Sequence, residues 1–99
     1  MKNLPIKYSN RAKFDLDDIW FSLASTNIEL ADRFVDQLEL RVNGLMEFPD
    51  SGVLRTDMTP NMRMLVEGKY LVLYQIRDSM IVIVRIVHGA RDLGDLDFT

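Results

Sequence analysis

The chain has 99 residues, which suffices for one hydrophobic core, so we expect a single domain over residues 1–99. It contains no cysteine, and this excludes disulfides, thiolate zinc sites and cysteine nucleophiles. Its formal net charge of −3 has the wrong sign for a protein that holds a phosphate backbone through its overall field.

The N-terminal segment predicts a cytoplasmic protein whose fold begins with a strand. Residues 1–5 lack the apolar core of a signal peptide, and no segment approaches the roughly 20 apolar residues of a membrane span. Residues 6–9 predict a short first strand. Ser9 or Asn10 then supplies the side-chain oxygen that caps a helix.

This first helix has two chemically different sides. Phe14 and Phe21 fall opposite its apolar stripe, so either a second layer covers them or they form an exposed docking surface. The stripe itself, which we expect to face the core, consists of Ala12, Leu16, Ile19, Trp20 and Leu23.

A second helix is predicted from the capping-box pair Thr26 and Glu29, and Pro49 ends its helical geometry at Phe48. Because the link Ala24 to Thr26 is short, the two helices should form an antiparallel hairpin. The apolar stripe of the second helix consists of Ala31, Phe34, Val35, Leu38, Val42, Leu45 and Met46.

The rest of the chain predicts a surface loop followed by strands. The turn-forming composition of residues 50–60 indicates the loop, after which the apolar period changes to two. Strands are expected at residues 62–67, 70–77 and 80–88, the second of them central, with turns at Gly68 and at Asp78-Ser79. The tail from Gly89 has too few apolar residues for a core element. The predicted class is α+β, with the helical hairpin on one face of an antiparallel sheet.

Four local patterns accompany this order of elements. The first helix carries Ala12, Asp15-Leu16 and Ile19-Trp20, and the hairpin closes with Phe48-Pro49-Asp50-Ser51-Gly52. Arg63 precedes a strand that bears Tyr70, Val72 and Tyr74, and the last strand runs through Ile83, Arg85, Ile86, Val87 and His88 to Ala90-Arg91-Asp92. Together they resemble the RelE/ParE toxins over almost the whole chain, and the ParE branch more closely.

The resemblance implies a small cytoplasmic toxin in a hetero-oligomer with a ParD-like antitoxin that is encoded beside it. ParE-like toxins act on DNA gyrase, whereas RelE-like toxins cut messenger RNA on the ribosome. A gyrase inhibitor without cofactor, membrane contact or direct nucleic-acid binding is the leading expectation. A ribosome-dependent endoribonuclease and an inactive antitoxin-binding relative are the alternatives.

Residues for RNA cleavage are few, since the reaction needs a base, an acid and cations for the phosphorane. The only set that could converge is His88, Arg63, Arg85 and Arg91. A lone histidine at a strand end is more often structural, and the residues after His88 lack the tyrosines that many RelE-like nucleases use. The acidic balance also disfavours an approach to ribosomal phosphate.

The same four residues are the candidates for contact with gyrase. Arg63 and Arg85 are expected on adjacent strands, either in ion pairs or presented to a partner. Arg55 and Lys69 are weaker candidates, because long cationic side chains on loops usually stay solvated.

Aromatic and acidic residues complete the list of candidates. Tyr70 and Tyr74 are expected to pack in the core with a hydroxyl at the rim, with base stacking as the alternative. Asp15, Asp17 and Asp18 are interpreted as charges favoured at a helix start. An amphipathic antitoxin helix is expected to bury Phe14 and Phe21, with an extended segment added to a free sheet edge.

Overall fold

The computed structural model describes residues 3–90, in which a helical hairpin packs on one face of a five-stranded sheet. The strands are β1 (Ile6–Tyr8), β2 (Val53–Leu54), β3 (Arg63–Glu67), β4 (Tyr70–Arg77) and β5 (Met80–His88). The helices are α1 (Asn10–Ala24) and α2 (Ile28–Asn43), and 3₁₀ turns at Gly44–Met46 and Pro49–Ser51 follow them. No helix in the described residues is long and apolar enough to cross a membrane.

The sheet has the order β1-β5-β4-β3-β2, so β4 is the central strand, as predicted. All neighbouring strands are antiparallel except β1 and β5, which pair in parallel through Ile6 and Ile81. Asp78 and Ser79 have φ values of 51° and 61°, and two such residues form the tight turn that matches the twist of a hairpin. The predicted α+β class and hairpin-on-sheet arrangement are confirmed.

Ser9, rather than Asn10, caps α1, and it also links α1 to β5. Its hydroxyl accepts a hydrogen bond from the Ala12 amide at 3.0 Å and donates one to the carbonyl oxygen of Val84 at 2.8 Å. Its own amide donates to the Ile83 carbonyl oxygen at 2.9 Å. The cap therefore also fixes the start of α1 against β5.

The predicted capping box at Thr26 and Glu29 is wrong, because Asn27 caps α2. The amides of Thr26 and Asn27 both donate to the carbonyl oxygen of Leu23, so Thr26 lies in the turn that follows α1. Asn27 has an extended backbone, and its side chain accepts a hydrogen bond from the Leu30 amide at 3.1 Å. The antiparallel hairpin itself is confirmed, and the Trp20 indole nitrogen donates across it to Asp32 at 2.8 Å.

The segment between residues 50 and 60 is not entirely a loop. Val53 and Leu54 form the edge strand β2, paired with Met64 and Arg63 of β3. Two residues are too few to show the alternation that identifies a strand in sequence, so this element escaped prediction.

Apolar side chains cover both faces of the sheet. Between the helices and the sheet, Leu38 and Val42 of α2 pack with Val72 and Tyr74 of β4. On the opposite face, Leu73 packs in a second cluster with Met62, Val84 and Val87, and Met58 from the loop packs against it. This second cluster explains why β4 is apolar on both faces.

Candidate functional site

The Arg85 side chain lies in the protein interior, where the carboxylate of Asp15 holds it. Arg85 Nε and Nη2 donate to the two Asp15 oxygens at 2.7 and 3.0 Å, a bidentate ion pair with only 1% of the arginine side chain exposed. Of the two alternatives for Arg85, the structure shows the ion pair, and its presentation to a partner is wrong, because α1 covers the side chain.

Asp15 also completes the hydrogen bonding of β5. β1 pairs with β5 only as far as Ile83, and beyond that point the outer edge of β5 runs beside α1. There, Asp15 Oδ2 accepts a hydrogen bond from the Ile86 amide at 3.0 Å. The pairing of β4 with β5 shifts register at Val84, which gives β5 one additional residue just before Arg85.

Arg63 is also held within the protein. Its Nη1 donates to the carbonyl oxygens of Gly52 and Asp50 at 2.9 and 3.1 Å, and Nη2 lies 3.4 Å from the Asp50 carboxylate. The predicted placement of Arg63 and Arg85 on adjacent strands is wrong, since β4 separates β3 from β5. The two hairpins β3–β4 and β4–β5 share β4, which therefore lies between the two arginine-bearing strands.

Tyr74 is fully buried, and its hydroxyl group forms hydrogen bonds to the backbone of the segment that follows α2. The hydroxyl donates to the carbonyl oxygen of Pro49 at 2.7 Å and accepts from the Gly52 amide at 2.8 Å. The predicted core packing of this tyrosine is confirmed. Burial raises the pKa of Tyr74 above its ordinary value of 10.0, because the charged phenolate is poorly solvated there.

The raised pKa predicts a loss of stability in alkali. Above the unfolded-state pKa of 10.0, the unfolded chain loses the Tyr74 proton first, so the free energy of unfolding falls as pH rises toward the folded-state value. Denaturant titrations between about pH 8 and about pH 11 should show this fall, and Tyr74→Phe should make it shallower. Tyr8, whose pKa burial and Glu39 also raise, retains its own contribution in that variant. A pH dependence identical in the wild type and Tyr74→Phe would contradict the assignment.

His88 lies exposed at the end of β5, in acidic surroundings. Its Nδ1 accepts a hydrogen bond from the Ala90 amide at 3.0 Å, and its ring meets the Tyr70 ring edge-on at 5.3 Å. The cavity of about 360 Å³ beside it is lined by Asp15 and Asp18, and none of its lining residues is lysine or arginine. Tyr70 also packs against Phe34 of α2 at 5.0 Å, which confirms its packing role.

The described members of the proposed nuclease set do not converge. His88 pairs with Tyr70 across β4, whereas Arg63 pairs with Tyr74. Tyr70 and Tyr74 are four residues apart on β4, which places His88 and Arg63 about 13 Å apart along the strand direction. Arg85 is occupied by Asp15, and Arg91 lies outside the described residues. This arrangement does not bring a base and cations to one phosphate.

The weaker cationic candidates lie on the surface. Arg55 pairs with its loop neighbour Asp57, with both nitrogen-to-oxygen distances at 2.9 Å, and Lys69 is exposed in the turn before β4. Lys69 does not line the cavity beside His88, and Arg55 does not line the cavity beside Arg63.

The outer face of the helical hairpin, in contrast, exposes large apolar side chains. Phe14 is 65% exposed and Phe21 is 69% exposed, so the interpretation that a second layer covers them is wrong for the described residues. Leu40 on α2 is 68% exposed. Trp20 is half-buried, and its ring packs edge-on against the Phe21 ring with the two centroids 5.3 Å apart, a contact that supports the exposed ring. Among the described residues of the hairpin, the exposed aromatic side chains are Phe14 and Phe21.

The comparisons with known proteins agree with this architecture. Toxin ParE1 of Caulobacter vibrioides is 29% identical over 85 residues, covering 85% of this chain and 88% of that protein. A solved structure of the chromosomal ParDE system of P. aeruginosa has a TM-score of 0.76 at 23% identity, covering 86% of this chain and 95% of the other.

The RelBE2 toxin-antitoxin complex of Mycobacterium tuberculosis shares the fold more distantly. Its TM-score is 0.59 at 20% identity, covering 87% of this chain and 98% of the other. Residues 6–93 match the family described as ParE toxin of type II toxin-antitoxin system, parDE. The chain therefore belongs to the ParE family of type II toxins.

Proposed function

We propose that this toxin acts in the cytoplasm by binding another protein, with DNA gyrase as the target, and that a ParD-like antitoxin neutralises it. The observation that carries the proposal is the use of Arg63 and Arg85 inside the fold, away from His88. The negative net charge and the carboxylates beside the exposed His88 imidazole also favour binding to a protein over binding to RNA.

The target-contacting surface that we propose lies where β5 ends. His88 is exposed there, and Lys69 is next to it, since the Gly89 amide donates to the Lys69 carbonyl oxygen at 2.8 Å. Arg91 follows two residues after Gly89 in the sequence. Arg63 contributes little to this surface, because its side chain is only 23% exposed and it lies at the start of β3.

Expression of the toxin without its antitoxin tests this function. Cells that express the wild type should stop growing and induce the DNA-damage response while their messenger RNA stays intact, and His88→Ala, which alters the proposed contact surface, should weaken both effects. Messenger cleavage that disappears in His88→Ala would instead establish a ribonuclease. Unimpaired growth at a confirmed protein level would identify an inactive relative.

The antitoxin-binding surface that we propose is the outer face of the hairpin around Phe14 and Phe21. Both rings stand free of the core, so a partner helix can bury them without rearranging the toxin. An aromatic anchor of this kind typically dominates the energy of an interface. The outer edge of the two-residue strand β2 offers a place for an extended segment of the same partner.

Phe14→Ala combined with Phe21→Glu should therefore abolish neutralisation and leave the toxin folded. Each buried aromatic contributes about 1.5–3 kcal/mol, so affinity for the product of the neighbouring gene should fall at least about 100-fold. Titration calorimetry measures the affinity, and circular dichroism checks the fold. Phe48→Ala is the matched control, because Phe48 is 59% exposed but lies outside the hairpin. Unchanged binding in the double variant would remove this surface from the proposal.

A further inference from the structure

The exposed apolar face of the hairpin is bordered by carboxylates. Phe14 and Phe21 are seven residues apart, so their rings lie two turns apart on one face of α1. Asp17 and Asp18 occupy the turn between them, and both are exposed. Any helix that covers the two rings must therefore approach these carboxylates.

α2 extends the same pattern. Asp36 and Leu40 are four residues apart, so an exposed carboxylate and an exposed leucine are neighbours on one side of that helix. In residues 3–90, no ion pair engages Asp17, Asp18 or Asp36. Their charge is therefore available to a partner.

The two helices carry the acidic excess of the protein. They hold seven acidic and four basic side chains, a net charge of −3, whereas the remaining residues are balanced. The acidic residues are Asp15, Asp17, Asp18, Glu29, Asp32, Asp36 and Glu39, and the basic ones are Arg11, Lys13, Arg33 and Arg41. Of these carboxylates, Asp15 is turned inward to Arg85.

We propose that the antitoxin segment covering this face is a cationic amphipathic helix. It presents two apolar residues about two turns apart to Phe14 and Phe21, with lysine or arginine between them to meet Asp17 and Asp18. The proposal rests on the assignment of this face to the antitoxin and adds the chemistry of the segment that binds there.

Desolvation is the reason for the charge. Packed helices lie about 8–10 Å apart, so a partner that buries the two rings also removes water from the carboxylates beside them. A neutral or acidic helix would leave these charges without compensation, which is costly at an interface. A basic helix meets them with opposite charge and also gains in association rate.

Charge reversal on the toxin tests the inference with the neighbouring gene's product as the probe. Asp17→Lys combined with Asp36→Lys should weaken the measured affinity by about tenfold or more, since attraction becomes repulsion at both positions. Glu47→Lys reverses an exposed charge outside the hairpin and should leave the affinity within about twofold. For the wild type, the dissociation constant should rise with salt concentration.

Each other outcome has a defined meaning. Equal affinity for the wild type and the hairpin reversal, with binding still lost in Phe14→Ala plus Phe21→Glu, would overturn the cationic helix and retain the docking face. Tighter binding by the hairpin reversal would show that the segment is acidic. If neither the aromatic nor the charge variant changes binding, the antitoxin binds elsewhere and both proposals are wrong.

Discussion

Asp15→Ala is expected to destabilise the protein by about 3–5 kcal/mol, because it leaves the Arg85 guanidinium buried without a counter-ion. The substitution also removes the acceptor for the Ile86 amide at the outer edge of β5. Since small domains are stable by only about 5–15 kcal/mol, this is a large share of the free energy of unfolding. Denaturant unfolding followed by circular dichroism measures the effect.

Two further variants separate the ion pair from other effects of the substitution. Asp17→Ala removes an exposed carboxylate from the same helix and should change stability by no more than about 0.5 kcal/mol. Asp15→Leu combined with Arg85→Met replaces both charges with apolar groups and should recover the part of the loss that comes from the unpaired arginine, but not the hydrogen bond from the Ile86 amide. A loss below about 1 kcal/mol in Asp15→Ala would mean that the pair does not hold α1 to β5.

Gly52→Ala should be the second most damaging of these substitutions, at about 2–4 kcal/mol. A Cβ at this position would lie 2.5 Å from the Tyr74 hydroxyl oxygen and 2.6 Å from its Cε1. Because the Tyr74 ring is fully buried between the sheet and α2, it has no free space into which to move. The substitution therefore forces the segment outward and breaks the hydrogen bond from the Gly52 amide.

Gly44→Ala is the matched glycine control for that prediction. Gly44 has a helical backbone, with φ −60° and ψ −22°, and a Cβ there would meet no atom within 4 Å. Alanine should stabilise the protein by about 0.4–1 kcal/mol through the unfolded chain. If the two glycine variants unfold at the same denaturant concentration, the close approach of Gly52 to Tyr74 has no energetic consequence.

Most of the fold could be predicted from the sequence because its elements are long and strongly periodic. Residues 80–88 are almost continuously apolar and rich in isoleucine and valine, and β5 has the predicted bounds. The apolar stripe of α2 likewise identified Leu38 and Val42, which are fully buried. In both elements, local pattern and tertiary packing demand the same residues.

Elements that depend on distant neighbours could not be predicted. β2 is a strand only through the pairing of Val53 and Leu54 with β3. The position of the Asn27 cap likewise depends on the turn that follows α1, in which the Thr26 and Asn27 amides bond to Leu23. Asp15 was interpreted as a helix-start charge, because its partner Arg85 is 70 residues away along the chain. No spacing rule connects residues so far apart.

The chemistry of the site was predictable only as a set of available side chains. The sequence identifies His88 and the arginines as the groups that could act on RNA, but their convergence depends on strand order and on their partners. β4 separates Arg63 from Arg85, and each arginine is held by oxygen atoms of its own chain. The aromatic prediction was closer, since Phe14 and Phe21 are exposed and one of the two interpretations required that.

The same cations thus have a structural role in this toxin. Arg85 fixes α1 to the sheet, and Arg63 fixes the segment around Gly52 to β3. The surfaces that remain are the acidic, aromatic face of the hairpin and the end of β5 around His88. Asp18 borders both surfaces, because it lies between Phe14 and Phe21 on α1 and also lines the cavity beside His88.

Supercoiling by purified DNA gyrase is the most direct test of the account. The purified toxin should inhibit supercoiling of relaxed plasmid in proportion to its concentration, and prior addition of the neighbouring gene's product should restore the activity. Undiminished supercoiling at a large excess of folded toxin, with messenger RNA cut in a purified translation system, would contradict the account.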